Sequence, residues 1–244
     1  MRYGIISDVH ANRHALEAVV KSLDEERPDK VVCLGDVVGY GPRPVECLKL
    51  VMERCAFSLL GNHEYAVLRG PDGFNPIAVE AINWTKKQIT DTDLIFYLTS
   101  LKAARLEGNV LYVHGSAEDP LMEYVREAED HAQFVKFVED LQRDFQRFDL
   151  CFTGHNHRAF LGTPDAFIFP HEVVSKFHVK GRKLYICVGS TGQPRDDDPR
   201  ASYATFDGDV VEYHRVRYDI DRTAREIKAV GLHPFLAERL YLGQ

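Results

Sequence analysis

The sequence has no apolar run near the ~20 residues that a membrane-spanning helix requires. Met1-Arg2 leads directly into a strand-like "YGII", without the charged, apolar and small-residue succession of a secretory signal. A cytoplasmic protein without a membrane partner is expected. Basic charge is short as well: 30 Lys and Arg stand against 37 Asp and Glu, giving a formal charge of −7 and a pI near 5.9. A general nucleic-acid binder needs a basic field to release counterions, so that class is excluded, while a nucleotide or short strand held through metals stays compatible. Cysteine is scarce, five residues, odd in number and without a CxxC pair. Cys33, Cys151 and Cys187 fall in apolar strand-like runs, where a thiol packs as a small hydrophobe. Reduced, structural cysteines are expected and thiolate metal ligation is not. No linker, repeat or low-complexity tract interrupts the chain, so residues 1–244 are read as one domain.

What is present is an alternation. At 244 residues and 45% hydrophobic content a sizeable core is available. "YGIIS" (3–7), a helix from about 12 to 26, "KVVCLG" (30–35), a helix from about 42 to 54 and "FSLLG" (57–61) read as βαβαβ. Pro42 and Pro44 suit the first turn of the second helix. Residues 66–98 form a helical insertion, capped by Asn75-Pro76, with Ile77, Ala81 and Trp84 at helical spacing. "ARLEGNVLYVHG" carries a Gly-Asn turn between two strands, and a helix from about 130 to 147 presents Phe134, Phe137, Val138, Leu141 and Phe145. Further strands follow in "AFLGT", "SKFHV", "KLYICVG", "ASYATFD" and "VVEYHRV", before a helical tail at about 220–242.

Five strand ends share one habit: an apolar run stops at a small residue or tight turn and then exposes metal-ligand chemistry. "SDVH" gives Asp8 and His10, "GD" gives Asp36, "GNH" gives Asn62 and His63, "VHG" gives His114, and "GHNH" gives His155 and His157. In open α/β sheets ligands bind beyond the carboxyl ends of the strands, so these sites are expected to converge. Residues two apart in extended chain face one side, so Asp8 with His10, and His155 with His157, are expected to reach one ion together. The glycines before Asp36, Asn62 and His155 permit a sharp turn. Two carboxylates, one amide and four imidazoles, with His63 in reserve, are too many ligands for one ion. The donor types suit two divalent transition-metal ions, Mn²⁺ foremost, with Fe, Zn²⁺ or Ni²⁺ as alternatives.

The motifs "DVH", "GDVVGYG", "GNHE", "VHG" and "GHNH", in that order over residues 8–157, resemble the calcineurin-like binuclear metallophosphoesterase superfamily, and nearer still its small bacterial and archaeal phosphodiesterase members. The stretch "GSTGQPRDDDPRASYATFD" is similar to that subgroup too. The resemblance implies an α/β fold of two mixed β-sheets sandwiched between helices, in four layers αββα. It implies that Asp8, His10 and His157 bind one metal, that Asn62, His114 and His155 bind the other, that Asp36 bridges and that His63 donates a proton. The implied activity is hydrolysis of a phosphodiester or nucleotide-type substrate by in-line attack of a hydroxide held between the ions. Dinucleoside polyphosphates, phosphomonoesters and phosphoproteins are alternative substrates, and a binding scaffold that has lost catalysis is the alternative of another class. Phosphoprotein is weakened by Gly39-Tyr40-Gly41 and Leu60, which stand where the phosphoprotein branch carries phosphate-gripping arginines. Arg13, Arg43 and Arg195 are candidate replacements.

Each short motif also has a plainer reading. Asp8-x-His10 and His155-x-His157 alone are turn or cap patterns, and Asn62 alone is a turn residue. Their recurrence at successive strand ends favours a site. His14, four residues after His10, falls in the first helix and reads as packing. Asp196-Asp197-Asp198 reads as a solvated acidic loop before it reads as a cation site. Trp84 and Phe74 read as packing before they read as a stacking surface for a base. His131, His171, His178, His214 and His233 receive no role.

Overall fold

Strand β1, Tyr3–Ile6, shows how the core is divided. Successive strand residues point to opposite faces, and both faces of β1 are covered. Ile5 packs into an inter-sheet core with Val32, Leu34, Phe152 and Ile186, whereas Ile6 packs beneath helices with Leu16, Val19 and Leu48. In this computed structural model, residues 1–125, 139, 143, 147–163, 166–170 and 175–244 are described.

The first sheet is built from β1, β2 (Lys30–Cys33), β3 (Phe57–Ser58), β9 (Lys176–His178), β11 (Ala201–Phe206) and β12 (Val210–Val216), in the order β3-β2-β1-β11-β12-β9. β1, β2 and β3 run parallel, and helices α1 (Arg13–Glu26) and α2 (Pro44–Arg54) connect them. β11 joins β1 antiparallel, which makes the sheet mixed. The second sheet holds β4 (Ala104–Glu107), β5 (Val110–Val113), β6 (Leu150–Thr153), β7 (Ala159–Gly162), β8 (Phe167–Ile168) and β10 (Leu184–Val188), in the order β4-β5-β6-β10-β7-β8. It is mixed in the same way, with β5, β6 and β10 parallel. Tyr112 stacks on Phe152 at 5.5 Å in the layer between the sheets. Two mixed sheets packed face to face, with helices outside, are the expected fold.

Local chemistry explains most element ends. The Asn12 side chain accepts from Ala15 N–H at 3.2 Å and starts α1, and Pro44 occupies the first turn of α2. Asn75 accepts from Ala78 N–H at 3.0 Å and starts α4 (Pro76–Gln88), which follows α3 (Asn62–Arg69) and precedes α5 (Thr92–Ser100). The buried face of α4 is Ala78, Ala81, Ile82 and Thr85, while Ile77 and Trp84 flank it against the helices Ile220–Ala229 and Phe235–Leu242. The helical tail consists of these two helices, divided at Gly231 (φ 79°) and Pro234. The stretch "FSLLG" contributes only two strand residues, and Leu59 makes an isolated bridge to Lys102. The helix expected at about 130–147, and His131 and His171, lie outside the described residues. All five cysteines are free, and no helix among the described residues is long and apolar enough to cross a membrane.

Candidate metal centre

The five polar strand ends meet at one edge of the sandwich. Asp8 and His10 follow β1, Asp36 follows β2, Asn62 and His63 open α3, His114 follows β5, and His155 and His157 follow β6. None of these eight residues is more than 7% exposed. The reason for their convergence differs from strand alternation. Asp8, His10, Asp36, His155 and His157 all adopt left-handed backbone, with φ between 47° and 59°. That conformation costs a non-glycine residue roughly 1–2 kcal/mol, and it persists because the loops are stitched together. Asp8 N–H donates to Gly35 O, His10 N–H to Asp36 O and Ala11 N–H to Val37 O, at 2.8–3.0 Å. Ser190 Oγ and Gly192 N–H both donate to Asp8 O, at 2.7 and 2.9 Å.

The glycine expectation needs a matching correction. Of the glycines before Asp36, Asn62 and His155, only Gly35 uses positive φ, 105°. Gly61 is extended, at φ −93°, and serves by its missing side chain: a Cβ there would sit 2.2 Å from Asp36 Oδ1. A Cβ on Gly154 would meet Ser7 Oγ at 1.9 Å. These residues are small because ligand-bearing loops cross them.

The imidazoles are held in defined tautomers. His10 Nδ1 donates to Val38 O at 3.1 Å, His114 Nδ1 to Leu34 O at 3.1 Å, His157 Nδ1 to Gln193 O at 2.6 Å, and His155 Nε2 to Met122 O at 3.1 Å. A carbonyl only accepts, so these nitrogens carry the protons and the other nitrogen of each neutral ring is a bare lone pair. His10 Nε2 and His157 Nε2 are bare and 2.9 Å apart, and His114 Nε2, bare once its ring is neutral, lies 3.2 Å from the bare His155 Nδ1. Asn62 Oδ1 faces His114 Nε2 at 3.0 Å, His155 Nδ1 at 3.2 Å and the Asp36 carboxylate oxygens at 3.0 and 3.3 Å, all of them acceptors once the His114 ring is neutral. Asp8 Oδ2 accepts from His155 N–H at 3.0 Å, while Asp8 Oδ1 is buried with no partner, 3.3 Å from His157 Nε2. Asp36 Oδ1 accepts from His63 N–H at 2.9 Å, which leaves Asp36 Oδ2 between the halves, 3.3 Å from His114 Nε2 and 3.6 Å from His10 Nε2.

So many lone pairs in contact call for positive charge among them. Neighbouring ligands at about 2.1 Å from one ion, set at right angles, lie about 3 Å apart, which is the spacing seen here. The residues therefore fit divalent ions of the Mn²⁺ and Zn²⁺ type. Three groups of potential ligand atoms stand out: Asp8 with His10 and His157; His10 with Asp36 and His63; and Asp36 with His114 and His155.

The charges of the bare side chains follow from burial. Burial pushes His10 and His157 well below the usual imidazole range, and takes His155 to about 3 and His63 to about 4. These rings are neutral at pH 7, the form that binds metal. Burial raises Asp8 to about 7. Burial opposes the charge on Asp36 as well, yet His114 and His63 hold this carboxyl well below its usual range. For His114 burial is outweighed by the Asp36 carboxylate, and its pKa stands at about 9. Without metal, a proton on His114 supplies the positive charge that Asp36 and Asn62 Oδ1 require.

His63 is arranged differently. It lies in the first turn of α3, where a strand-end turn was expected, and its ring makes no hydrogen bond among the described residues. The ring sits between Tyr40 at 4.5 Å and Phe74 at 5.2 Å, with Nε2 3.9 Å from Asp36 Oδ2. His63 Nδ1 points at Gly39, where a Cβ would intrude to 2.1 Å. Gly39-Tyr40 therefore makes a slot for the His63 ring. A cavity of 310 Å³ opens over the cluster, lined by Asp36, Asn62, His63, His155 and His157, and also by Tyr40, Asp72, Phe74, Met122, Tyr124 and Arg195.

Of the three candidate arginines only Arg195 lines this cavity. Arg13 pairs with Glu17 at 2.7 Å, and Arg43 pairs with Glu226 at 2.8 Å and with Glu46 at 3.3 Å, so neither replaces a phosphate grip. Phe74 is at the site and Trp84 is in packing. Asp196 is buried against Arg215 and Asp198 pairs with Arg200, so the acidic loop is not a cation site. His14 pairs with Glu226 at 3.1 Å.

Glu64 is the residue that sequence reading passed over. Fully buried, its carboxylate accepts from the N–H groups of Asp36 at 2.8 Å, Val38 at 3.0 Å and Gly61 at 2.9 Å, fixing the Asp36 loop to the start of α3. The signal was present in Gly61-x-x-Glu64, the spacing of a helix cap with a reciprocating glutamate.

Known proteins share this family and fold. The model of the calcineurin-like phosphoesterase family matches residues 1–187, a span that holds all eight polar strand-end residues. An uncharacterized protein of Methanocaldococcus jannaschii is 36% identical over 249 residues, covering 98% of this chain and 97% of that protein. The crystal structure of a metallophosphoesterase from Sphaerobacter thermophilus is similar with TM-score 0.86 and 38% identity, covering 100% of this chain and 99% of that one. A hypothetical protein of Pyrococcus horikoshii shares the fold, with TM-score 0.77 and 16% identity over 100% of this chain and 98% of its own. On a family match across most of its length and on relatives aligned end to end, this chain belongs to the calcineurin-like phosphoesterase family.

Proposed function

We propose that this protein hydrolyses phosphodiester or nucleotide-type substrates with two divalent transition-metal ions, Mn²⁺ foremost. The observation that carries the reading is the set of bare imidazole nitrogens and acceptor oxygens, their protons tied back to carbonyls, grouped beneath a cavity of 310 Å³. Asp8, His10 and His157 hold one ion, Asn62, His114 and His155 hold the other, and Asp36 is shared. When bound, the ions supply Lewis acidity toward a phosphoryl oxygen and toward a water nucleophile. His63 protonates the departing oxygen, since Nε2 faces the cluster while Nδ1 is packed against Gly39, away from it. An anionic ester in the cavity favours the protonated ring that this role requires. Tyr40 and Phe74 hold the ring in place from two sides.

The diester reading is favoured over polyphosphate by the lining of the cavity. Arg195 is its one Lys or Arg among the described residues, and Asp72 adds a carboxylate at the rim. Several phosphates would find little charge to meet them, whereas Phe74 at the cavity wall offers apolar surface to an aryl or nucleoside group. The completeness of the ligand set favours an enzyme over a scaffold. The test is a panel of bis(p-nitrophenyl) phosphate, p-nitrophenyl phosphate, dinucleoside polyphosphate, cyclic nucleotide and phosphopeptide, assayed with Mn²⁺. The diester is expected to show the highest kcat/KM, and a polyphosphate or phosphopeptide tenfold ahead of it would overturn the assignment.

A further inference from the structure

The cation at the cavity wall has no carboxylate. Arg195 makes no ion pair among the described residues; its Nη2 donates to the neutral amide oxygen of Gln193 at 2.8 Å. Arg195 Nε is buried and has no hydrogen-bond partner among the described residues. Four other arginines are paired with carboxylates: Arg13 with Glu17, Arg43 with Glu226, Arg200 with Asp198, and Arg215 with Asp196; Arg239, which does not line the cavity, donates to Gln244 O. The Arg215–Asp196 pair matters most, because Asp196 is the neighbour of Arg195 and is turned away from it into the body of the protein. A guanidinium with unmet donors at the wall of a cavity lacks part of its hydrogen bonding until a ligand supplies acceptors.

The position of this guanidinium is fixed to the metal ligands. Arg195 N–H donates to His157 O at 2.9 Å, and His157 Nδ1 donates to Gln193 O at 2.6 Å, so the arginine segment and a ligand ring hold each other on two sides. The Arg195 guanidinium also lies 5.8 Å from the Tyr40 ring centroid, over the same ring that packs against His63. The Asp196–Arg215 pair and the bond from Asp197 N–H to Gly243 O at 3.0 Å anchor the segment from behind.

We infer that Arg195 binds the phosphoryl group of the substrate, offering its unpaired N–H donors to non-bridging oxygens held over the metal cluster. The inference rests on the phosphoester reading of the site. It supplies the grip that Arg13 and Arg43 do not, from a segment that lies after the family-matched residues 1–187. A planar guanidinium suits the task, because it presents parallel donors to an oxyanion and keeps its charge at every working pH.

The test uses the full chain loaded with Mn²⁺, with inorganic phosphate as the probe. Phosphate binding is measured by titration calorimetry for the parent, Arg195→Gln and Arg195→Lys, with metal content and Tm recorded for each. Loss of a charged hydrogen bond is expected to weaken phosphate binding in Arg195→Gln by about tenfold or more. Arg195→Lys is expected to recover part of that loss, and all three proteins should keep the same metal content and a Tm within about 2 °C. Hydrolysis of bis(p-nitrophenyl) phosphate should then show a raised KM in Arg195→Gln that exceeds the change in kcat. Unchanged phosphate affinity in Arg195→Gln would overturn the inference, and so would a loss that tracks lost metal or a lowered Tm, which marks a structural arginine. If the parent bound phosphate but hydrolysed no ester, the proposed function would fail, while the binding comparison would still decide the role of Arg195.

Discussion

His10 Nε2 faces His157 Nε2 at 2.9 Å, and each ring spends its other nitrogen on a backbone carbonyl, Val38 O and Gln193 O respectively. Two bare lone pairs at that distance repel unless a cation joins them, so this half of the site holds together best when loaded. His157→Ala is expected to lose one metal equivalent, and Asn62→Ala one from the other half. Asp36→Asn should reduce both, because Asp36 Oδ2 stands 3.6 Å from His10 Nε2 and 3.3 Å from His114 Nε2. Elemental analysis after Mn²⁺ loading checks this ordering, and two full equivalents in Asp36→Asn would contradict the shared carboxylate.

His63 should separate substrates by their leaving groups. An alkyl or nucleoside oxygen departs poorly without a proton, and general acids contribute typically ~10²–10⁴-fold. His63→Ala is therefore expected to lose most activity toward an alkyl or nucleoside diester and much less toward a p-nitrophenyl ester, with metal content retained. An equal loss on both esters, or an emptied metal site, would assign His63 to holding the site together.

Metal uptake should release protons and weaken in acid. In the metal-free protein at pH 7 His114, with a pKa of about 9, is protonated, and burial raises Asp8 to about 7, so that it too holds a proton part of the time. A cation binds only the deprotonated forms, so each must lose its proton on loading, and lowering the pH strengthens the proton's competition. About one to two protons per chain should be released at pH 7, and the apparent Mn²⁺ affinity should rise steadily from pH 6 to pH 8. Titration calorimetry in buffers of different ionisation enthalpy measures both quantities. Uptake without proton release, equally tight at pH 6 and pH 8, would contradict these charge states.

The order of chemistry along the chain was legible, and the geometry that assembles it was only partly so. Asp8, His10, Asp36, Asn62, His63, His114, His155 and His157 were visible because each ends an apolar strand run, and the parallel β1, β2 and β3 bring such ends to one edge. Alternation along an extended strand gave the right neighbours for Asp8 and His10 by the wrong route, since both residues are left-handed, and the wrong ones for His155 and His157, which fall in separate groups, His155 with His114 and His157 with His10. That conformation depends on partners almost the whole chain away, such as Ser190 and Gly192 bonded to Asp8 O, and no local pattern encodes it. Gly39 looked like a departure from a phosphate-gripping motif, and its use as a slot for the His63 ring appears only in three dimensions. The arginines could not be ranked from sequence, because what separates Arg195 from Arg13 and Arg43 is the absence of a carboxylate partner.

The two-metal account is tested most directly by removing and returning the ions in one preparation. The protein is stripped with chelator until elemental analysis finds no transition metal, then titrated with Mn²⁺ while hydrolysis of bis(p-nitrophenyl) phosphate is followed. The account predicts negligible turnover in the stripped protein and recovery that reaches its plateau near two bound equivalents per chain. A stripped protein that hydrolyses the diester at the untreated rate would contradict it.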